Sequence, residues 1–190
     1  MKKILLCLFA LFSFLSINLL ANQEPTLPKE SLDLLNSCVK QNNTADCKKM
    51  ASKLESDCKR NNSTSCRILG EAYKNGVGVE TDYRAALRYT SMACEKDNPI
   101  ACTDTGIFYE FSIGVEQNFR RAKNYYEKAC NLGNGPGCAN IGIYYLHGKG
   151  NAVKKDVKKS LHYFKKSCEL NHQPACKNYE IIQQAIAKMK

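Results

Sequence analysis

Residues 69–79 read LGEAYKNGVGV and residues 82–86 read DYRAA. Small residues and tyrosines recur here every three or four positions, which is the spacing of one face of a helix. The run Gly76-Val77-Gly78 interrupts that spacing and predicts a tight turn between two helices. A phosphate-binding loop is excluded, because the run follows no strand and lacks the lysine and hydroxyl of such loops.

The same pattern recurs further along the chain with a period of 36 to 38 residues. Such self-similarity predicts a solenoid of stacked helix pairs. Small residues in the repeated positions would let helices approach closely, and we expect the tyrosines to fill the space between neighbouring pairs. The aligned sets are Gly70, Gly106 and Gly142; Tyr73, Tyr109 and Tyr145; Ala86, Ala122 and Ser160; Tyr89, Tyr125 and Tyr163; and Ala93, Ala129 and Ser167.

Ten of the eleven cysteines form five closely spaced pairs, four with seven residues between the cysteines and one with eight. Because only pairing within each pair is the same in every unit, we predict five local disulfides. Each would join the end of one helix pair to the first turns of the next, contributing roughly 2–3 kcal/mol. The pairs are Cys38–Cys47, Cys58–Cys66, Cys94–Cys102, Cys130–Cys138 and Cys168–Cys176.

The residues between successive helix pairs also repeat. Asn62, Asn98 and Asn134 occupy one position, where asparagine is a good N-cap. His172 holds the same position in the last unit, where we expect a capping or turn role. The preceding residue is Asn61, Asp97, Gly133 or Asn171, which are types that tolerate the left-handed geometry ending a helix.

Residues 1–21 are typical of a secretory signal, with Lys2 and Lys3 before the apolar run Ile4–Leu20 and Ala21 at a plausible cleavage point. An uncleaved membrane anchor is the alternative. Cleavage would also remove Cys7, which lies too early for lipidation, and would leave an even number of cysteines in an exported chain. We therefore predict secretion to the periplasm or the exterior.

The predicted fold class is all-α, an α/α solenoid of helix-pair repeats that are each bridged by a disulfide. In the first complete repeat, one helix covers about residues 63–74 and the other about residues 83–95. The predicted units are a signal peptide (1–21), a linker (22–30), an N-terminal capping helix pair (31–62), three repeats (63–97, 98–133 and 134–172) and a C-terminal capping helix (173–190).

The motif quoted above resembles the Sel-one-like repeat, a relative of the tetratricopeptide repeat, and with its cysteines it is similar to the Helicobacter cysteine-rich protein family. The resemblance covers residues 31–190. It implies an exported penicillin-binding protein with weak β-lactamase activity. The alternative is a non-catalytic protein- or peptide-binding scaffold, acting in the envelope or on host cells. Three departures affect turns: Ser112 stands in the position of Gly76, Asn118 in that of Asp82, and the third repeat has two extra residues before Asp156.

The residues themselves contain no recognisable catalytic arrangement, so no catalytic residue is assigned and enzymatic activity stays open. A serine β-lactamase commonly uses Ser-x-x-Lys, and two such matches occur, Ser37 to Lys40 and Ser56 to Lys59. Two matches are about what chance gives in so lysine-rich a chain, and Lys-Thr-Gly and Ser-Asp-Asn are absent. We therefore expect both serines to lie on exposed faces of the capping helices.

No metal or cofactor site is predicted. His147, His162 and His172 form no H-x-x-x-H or H-x-H pair. A metal site combining His147, His162 and Asp156 is the weak alternative. Cysteine ligation of zinc is disfavoured because C-x-x-C is absent and export favours disulfides.

The net charge of +10 is concentrated in the third repeat. A solvated face is the plain interpretation of this lysine cluster, and an anionic partner is the alternative. If the segment is helical, Lys154/Lys158 and Lys155/Lys159 lie at i,i+4 spacing. We expect a monomer that binds a protein, a peptide or a β-lactam or peptidoglycan-like ligand in a concave groove, and no nucleic acid. The clustered lysines are Lys149, Lys154, Lys155, Lys158, Lys159, Lys165 and Lys166.

Overall fold

A computed structural model describes residues 26–41 and 43–188, so the predicted signal peptide and Cys7 lie outside the described residues. The described residues confirm the all-α prediction, since they form helices and a single isolated bridge, Lys149 with Val153, outside any strand. The helices are α1 (Lys29–Gln41), α2 (Thr44–Lys59), α3 (Ser63–Asn75), α4 (Tyr83–Glu95), α5 (Pro99–Glu110), α6 (Phe119–Asn131), α7 (Gly135–His147), α8 (Val157–Glu169) and α9 (Gln173–Ala187).

Helices that follow one another in sequence pack together, and the packing is tightest within the pairs α3/α4, α5/α6 and α7/α8. α1 packs on α2 and α9 packs on α8, so each end of the described chain is covered by a less regular unit. A further contact joins α5 to α7, which places odd-numbered helices side by side. The result is the predicted α/α solenoid, with odd-numbered helices on one face.

The repeated glycines of the odd-numbered helices mark where the two helices of a pair touch. A Cβ added at Gly106 would lie 2.5 Å from the Tyr126 ring, closer than real Cβ contacts allow. The corresponding distances are 2.4 Å from Gly70 to the Thr90 hydroxyl and 3.3 Å from Gly142 to the Phe164 ring. The expectation that small residues permit close helix approach is therefore confirmed.

The two tyrosine columns stack on each other, with ring centroids 5.4 Å apart for Tyr73–Tyr89 and 5.7 Å apart for Tyr109–Tyr125. Tyr145–Tyr163 repeats this at 5.6 Å. Each stack lies inside one helix pair, but the Tyr89 hydroxyl also donates to Glu55 of the preceding pair at 3.2 Å, and Tyr125 packs against the core residues of α4. The tyrosines therefore fill space within a pair as well as between neighbouring pairs. Both columns lie on the faces that the two helices of a pair turn towards each other. A cation from the even-numbered helix lies over one ring of each stack: Arg88, Arg121 and Lys159.

The turns between helix pairs follow the sequence pattern. The side chains of Asn62, Asn98 and Asn134 each accept a hydrogen bond from the backbone N–H three residues later. The preceding residues have positive φ angles, from +58° at Asp97 to +86° at Gly133. His172 holds the cap position without a side-chain cap bond; its Nδ1 lies 3.3 Å from the Ser167 hydroxyl instead. Of the two roles expected there, His172 has the turn role through its backbone bonds to Ser167 and Ala175, while its imidazole packs towards α8 and does not cap α9.

The turn inside the second repeat shows that serine can replace glycine. Ser112 adopts φ +58°, in the left-handed region that Gly76 occupies at φ +71°. Its hydroxyl donates a hydrogen bond to the Val115 carbonyl at 2.9 Å, and this bond favours the otherwise uncommon conformation. The departure from the repeat pattern therefore leaves the turn in place.

Ten cysteines form five disulfides, with Cα atoms 4.5 to 4.7 Å apart in every case. Four of the bonds join one helix pair to the next helix, and Cys38–Cys47 instead joins α1 to α2. The cysteines of the central bonds are fully buried. Each disulfide, which we also call a staple, therefore fixes the angle at which one helix follows another.

Candidate functional site

The outer side of the odd-numbered helices forms the broadest candidate surface, and we call it the odd-helix face. Residues at equivalent positions of α3, α5, α7 and α9 lie on it in register, because the repeat places them 36 or 38 residues apart. At its N-terminal end Leu35 and Val39 of α1 meet Ile68 and Glu71 of α3 around a cavity of 150 Å³. These contacts show which side of α3 the face includes.

An isoleucine row runs along this face. Ile107 of α5, Ile143 of α7 and Ile181 of α9 occupy the position that Glu71 holds in α3. Ile143 is 38% exposed and Ile181 is 63% exposed, although burial of either would be favourable. Phe111, one turn beyond Ile107 at the end of α5, is 64% exposed. Ile107 itself is partly buried and packs against the core, so the exposed apolar side chains here are Ile143, Ile181 and Phe111. Exposed apolar groups that lie on one face are typical of a surface that meets a partner.

A polar row accompanies the isoleucines, one turn earlier on each helix. It consists of Asp104 of α5, Asn140 of α7 and Asn178 of α9. All three side chains are half-buried, and within the described part of the chain none has a hydrogen-bonding partner. Amide and carboxylate groups held in this way are available to a ligand.

The charged part of the face lies between α3 and α5. Burial raises the pKa of Asp104 above its usual value, and the nearby Glu71 carboxylate raises it further. Lys74 and Arg67 act in the opposite direction without reversing the shift. Arg67 is engaged by Glu71, with an N–O distance of 2.8 Å. A perturbed carboxylate in a depression is a physical indication of a functional position.

The two Ser-x-x-Lys matches differ in what the described side chains show, and the match at Ser56 lacks the arrangement of an activated nucleophile. Ser56 is exposed, and the Lys59 ammonium pairs with Glu55 at 3.0 Å. The hydrogen bond that Lys59 donates to the Glu55 carboxylate raises the pKa of Lys59, whereas a lysine that acts as a base needs a lowered pKa. The Ser37 hydroxyl is half-buried and donates to Asp46, so the expectation of an exposed serine holds for Ser56 and not for Ser37.

The histidines are dispersed. His147 ends α7 and is exposed, while His162 lies in α8 with its ring edge against Tyr163. Across residues 26–41 and 43–188, no three histidine, cysteine, aspartate or glutamate side chains lie close enough to hold a metal ion. The structure therefore does not bring His147, His162 and Asp156 together as a site.

The lysines of the third repeat divide into two groups. Lys149 is engaged in the interior: its ammonium lies 3.0 Å from Glu110 and 5.3 Å from the centre of the Tyr144 ring. Lys154 and Lys155 precede α8, whose N-cap is Asp156, so the helical condition for i,i+4 neighbours of Lys158 and Lys159 is not met. The exposed members are Lys154, Lys155, Lys158, Lys159 and Lys165, and we call these five the lysine patch.

Glu110 organises the junction of the second and third repeats, and the sequence analysis missed it. Its carboxylate accepts a hydrogen bond from the Tyr126 hydroxyl at 2.7 Å and pairs with Lys149. Burial raises the pKa of Tyr126 and of Tyr144, and the Glu110 carboxylate raises both further. Both hydroxyls therefore stay protonated, and the cluster holds the longer turn of the third repeat.

Two larger depressions lie off the odd-helix face. One of 710 Å³ at the turn edge includes Tyr73, Tyr83 and Asp82, but the Asp82 carboxylate caps α4 by accepting from two backbone N–H groups. Another of 590 Å³ lies beside α2, where Lys53 pairs with Glu30 at 2.6 Å. Not all of their charged groups have partners, since the side chains of Glu80, Arg84 and Lys48 form no ion pair within the described residues. The preference for the odd-helix face rests instead on its exposed isoleucines.

The Sel1 repeat family model matches residues 63–98, 99–134 and 135–172. No curated protein sequence matches this chain significantly. Among solved structures, a Sel1 repeat protein from Oxalobacter formigenes is similar, with 23% identity, a TM-score of 0.70 and coverage of 79% of this chain and 60% of that one. The protective antigen c5321 of uropathogenic Escherichia coli has 21% identity and a TM-score of 0.65, over 77% of this chain and 35% of that one.

This chain thus spans less than two thirds of either of those two proteins, and at these identities the likeness shows the fold alone. Helicobacter pylori cysteine rich protein B is 29% identical, with a TM-score of 0.57, over 70% of this chain and 95% of that one. That similarity agrees with the cysteine pattern as well as with the helix pattern. Since the three matched repeats together cover more than half of its residues, this disulfide-stapled solenoid belongs to the Sel1 repeat family.

Proposed function

We propose that this protein is a non-catalytic scaffold that binds a protein or peptide segment on the odd-helix face. The observation that carries the proposal is that Ile143 and Ile181, at equivalent repeat positions, are left exposed beside half-buried polar side chains that have no hydrogen-bonding partner within the described residues. Solenoids use their extended faces in this way, since each repeat adds one unit of contact surface. The proposal follows the alternative in the sequence analysis rather than its main expectation.

Penicillin binding and β-lactam hydrolysis rest on resemblance alone. Lys59 of one Ser-x-x-Lys match is paired with Glu55, and the Ser37 hydroxyl of the other donates to Asp46. The fold itself does not imply an activity, because function depends on the site. A purified oxidised protein assayed with a chromogenic β-lactam tests this reading, and we expect no turnover above that of a Ser37→Ala/Ser56→Ala variant.

The compartment follows from the cysteines. Five disulfides in one small chain are typical of an oxidising environment, such as the periplasm or the exterior of the cell. None of the helices in the described residues has both the length and the hydrophobicity of a membrane span. We propose a secreted or periplasmic protein whose signal is residues 1–21.

The binding proposal is tested by Ile143→Glu with Leu132→Glu as the matched control. The two side chains are similarly exposed, at 38% and 36%, but Leu132 lies at the turn after α6, away from the odd-helix face. Partners are captured from envelope and host-cell extracts with wild type and both variants. We expect capture to be lost with Ile143→Glu and kept with Leu132→Glu; equal loss or equal retention would contradict the proposal.

A second, weaker candidate is an anionic partner at the lysine patch. Its support is that Lys154, Lys155 and Lys158 are exposed and have no ion pair within the described residues. Clustered exposed charges act together over roughly 8–10 Å at physiological salt. The patch would then guide association, with the odd-helix face providing most of the affinity.

A further inference from the structure

The five disulfides differ in how far solvent reaches them. In four of them no cysteine is more than 9% exposed, the largest value being that of Cys47. Both cysteines of the Cys168–Cys176 disulfide are half-buried. Because thiol–disulfide exchange requires that a thiolate reach a sulfur atom, its rate depends on access. An external thiol therefore reaches Cys168–Cys176 more readily than the other staples.

This exposure follows from the position of the staple in the solenoid. The even-numbered helix that follows a central staple covers it: the Lys128 ammonium of α6 donates a hydrogen bond to the Cys94 carbonyl at 2.7 Å. The Ser167 hydroxyl of α8 likewise donates to the Gly135 carbonyl at 2.7 Å, at the start of the helix that contains Cys138. Within the described residues, no even-numbered helix covers Cys168 in this way.

The two sulfur atoms differ as leaving groups. Cys168 lies in the last turn of α8, where the helix dipole disfavours a thiolate, and Cys176 lies in the first turn of α9, where the dipole favours one. Helices α3, α5 and α7 begin with an asparagine cap, whereas His172 provides no side-chain cap to α9. The start of α9 is therefore open to a thiolate, and the more stable thiolate leaves faster.

Opening this staple leaves the packing of α9 in place. Ala175 and Ile182 of α9 are buried in one cluster with Ala139 of α7 and Phe164 of α8. These apolar contacts do not depend on the disulfide. The reduced chain can therefore keep its fold, as exchange on a native protein requires.

We propose that Cys168–Cys176 is a thiol–disulfide exchange site for a dithiol oxidoreductase. One thiolate of the oxidoreductase attacks the Cys168 sulfur and forms a mixed disulfide, while the bonding electron pair leaves with the Cys176 sulfur, which takes up a proton. The second thiolate of the oxidoreductase then displaces the Cys168 sulfur, which is also protonated. Two thiols are formed on this chain and one disulfide on the oxidoreductase.

The first experiment treats the full oxidised protein with dithiothreitol and maps the freed cysteines by alkylation and mass spectrometry. The matched comparison is Cys38–Cys47, the other terminal staple, whose loop is almost equal and whose cysteines are buried. We expect Cys168 and Cys176 to be freed at least about tenfold faster, with the helical circular dichroism signal retained. Equal rates, or earlier release of any other pair, would overturn the proposal.

The direction of attack is tested with a thioredoxin whose second active-site cysteine is replaced by serine, since such a protein stops at the mixed disulfide. We expect the trapped link on Cys168. A link on Cys176, or no link, contradicts the proposed exchange.

His172→Asn tests the open helix start, because it provides the cap that α3, α5 and α7 have. Reduction by dithiothreitol should become about fivefold slower, since the cap then occupies the positive end of α9. His147→Asn changes an exposed histidine at the end of α7 and should leave the rate unchanged. If His172→Asn reacts as fast as wild type, the assignment of Cys176 as the leaving thiolate is wrong.

Discussion

The N-terminal helix pair α1/α2 and the central helix pairs bury different residue types at the same repeat position. One residue before the first cysteine, the central pairs have Ala93 and Ala129, both fully buried. The N-terminal pair has Asp57 there, 1% exposed. The Asp57 carboxylate accepts a hydrogen bond from Ser31 of α1 at 2.5 Å and another from Arg60.

The difference shows how an end unit compensates for having a neighbour on only one side. Burial alone would raise the pKa of Asp57, but the bonds from Ser31 and Arg60 outweigh it and hold the pKa below its usual value. In the central pairs α5/α6 and α7/α8, the two helices are instead held together by tight contact between glycines and aromatic rings. Central packing therefore depends on shape, and the N-terminal pair depends on charge and hydrogen bonding.

The largest expected effect comes from removing a central staple. Cys94→Ala/Cys102→Ala should lower the free energy of unfolding by about 3 kcal/mol, and Cys38→Ala/Cys47→Ala by about 2 kcal/mol. The loops are almost equal, with separations of 8 and 9 residues, so chain entropy alone predicts equal losses. The central pair additionally loses sulfur atoms packed between two repeats. Urea unfolding followed by circular dichroism measures both, and equal losses would contradict the comparison.

Shape dependence within the central pairs is tested by Gly106→Ala against Gly142→Ala. An added methyl would lie 2.5 Å from the Tyr126 ring in the first case and 3.3 Å from the Phe164 ring in the second. Tyr126 cannot easily move, because its hydroxyl bonds to Glu110. We expect Gly106→Ala to destabilise the protein by about 2 kcal/mol, from overpacking.

Gly142→Ala should be nearly neutral, since relief of glycine's backbone entropy by about 0.5–1 kcal/mol offsets a mild contact. Thermal and urea unfolding of the two variants, made in the same background, provide the measurement. A Gly142→Ala variant that is destabilised as much as Gly106→Ala would show that helix approach is not what distinguishes the two positions.

Charge dependence of the N-terminal pair predicts a pH effect. Because the pKa of Asp57 is lowered in the folded state, its contribution is complete above its unfolded pKa of about 3.9 and is lost as pH falls through the folded value. Asp57→Asn should cost about 1 kcal/mol at neutral pH, since the amide keeps one accepting oxygen. The gap between wild type and variant should close below about pH 4. A gap that is constant down to pH 2 would refute this assignment.

The smallest effect on stability is expected in the third repeat, where the lysine patch distinguishes it from the first two. Replacing Lys154, Lys155 and Lys158 with glutamine should leave the unfolding midpoint unchanged, because these side chains are exposed and form no ion pair within the described residues. Association with immobilised polyglutamate should become slower and less salt-dependent. Lys48→Gln/Lys177→Gln serves as a control for net charge. If it slows association by as much per lysine, the lysine patch has no specific role and is a solvated face.

The repeats made most of the fold predictable. A helix, its caps and its turn depend on residues within a few positions of each other, and three copies of the same pattern reveal them together. Helix α4 begins at Tyr83 and ends at Glu95, as the periodicity predicts. The disulfides could be predicted from the sequence equally well, because each closes a loop of similar length in every unit.

The odd-helix face was harder to predict from the sequence than the fold, although part of its residue pattern is visible there. Aligning the chain at the repeat period places Ile107, Ile143 and Ile181 in one column, and this alignment could have identified the row. It would not have shown that Ile143 and Ile181 are exposed while Ile107 packs against the core. A column of isoleucines is more commonly core, and only the position of neighbouring helices determines which side of α7 meets solvent.

What the sequence by itself determined is the local and repeated part of this protein: helix bounds, turn conformations, caps and the pairing of the cysteines. Only the tertiary structure decided that the tyrosines stack within a pair, that Lys149 is withdrawn from the lysine patch by Glu110, and that Asp104 faces Glu71. The physical reason is that such contacts join residues about one repeat apart, and their energies depend on burial and on distances between side chains. Neither quantity can be obtained from local sequence, because each depends on how the helices pack.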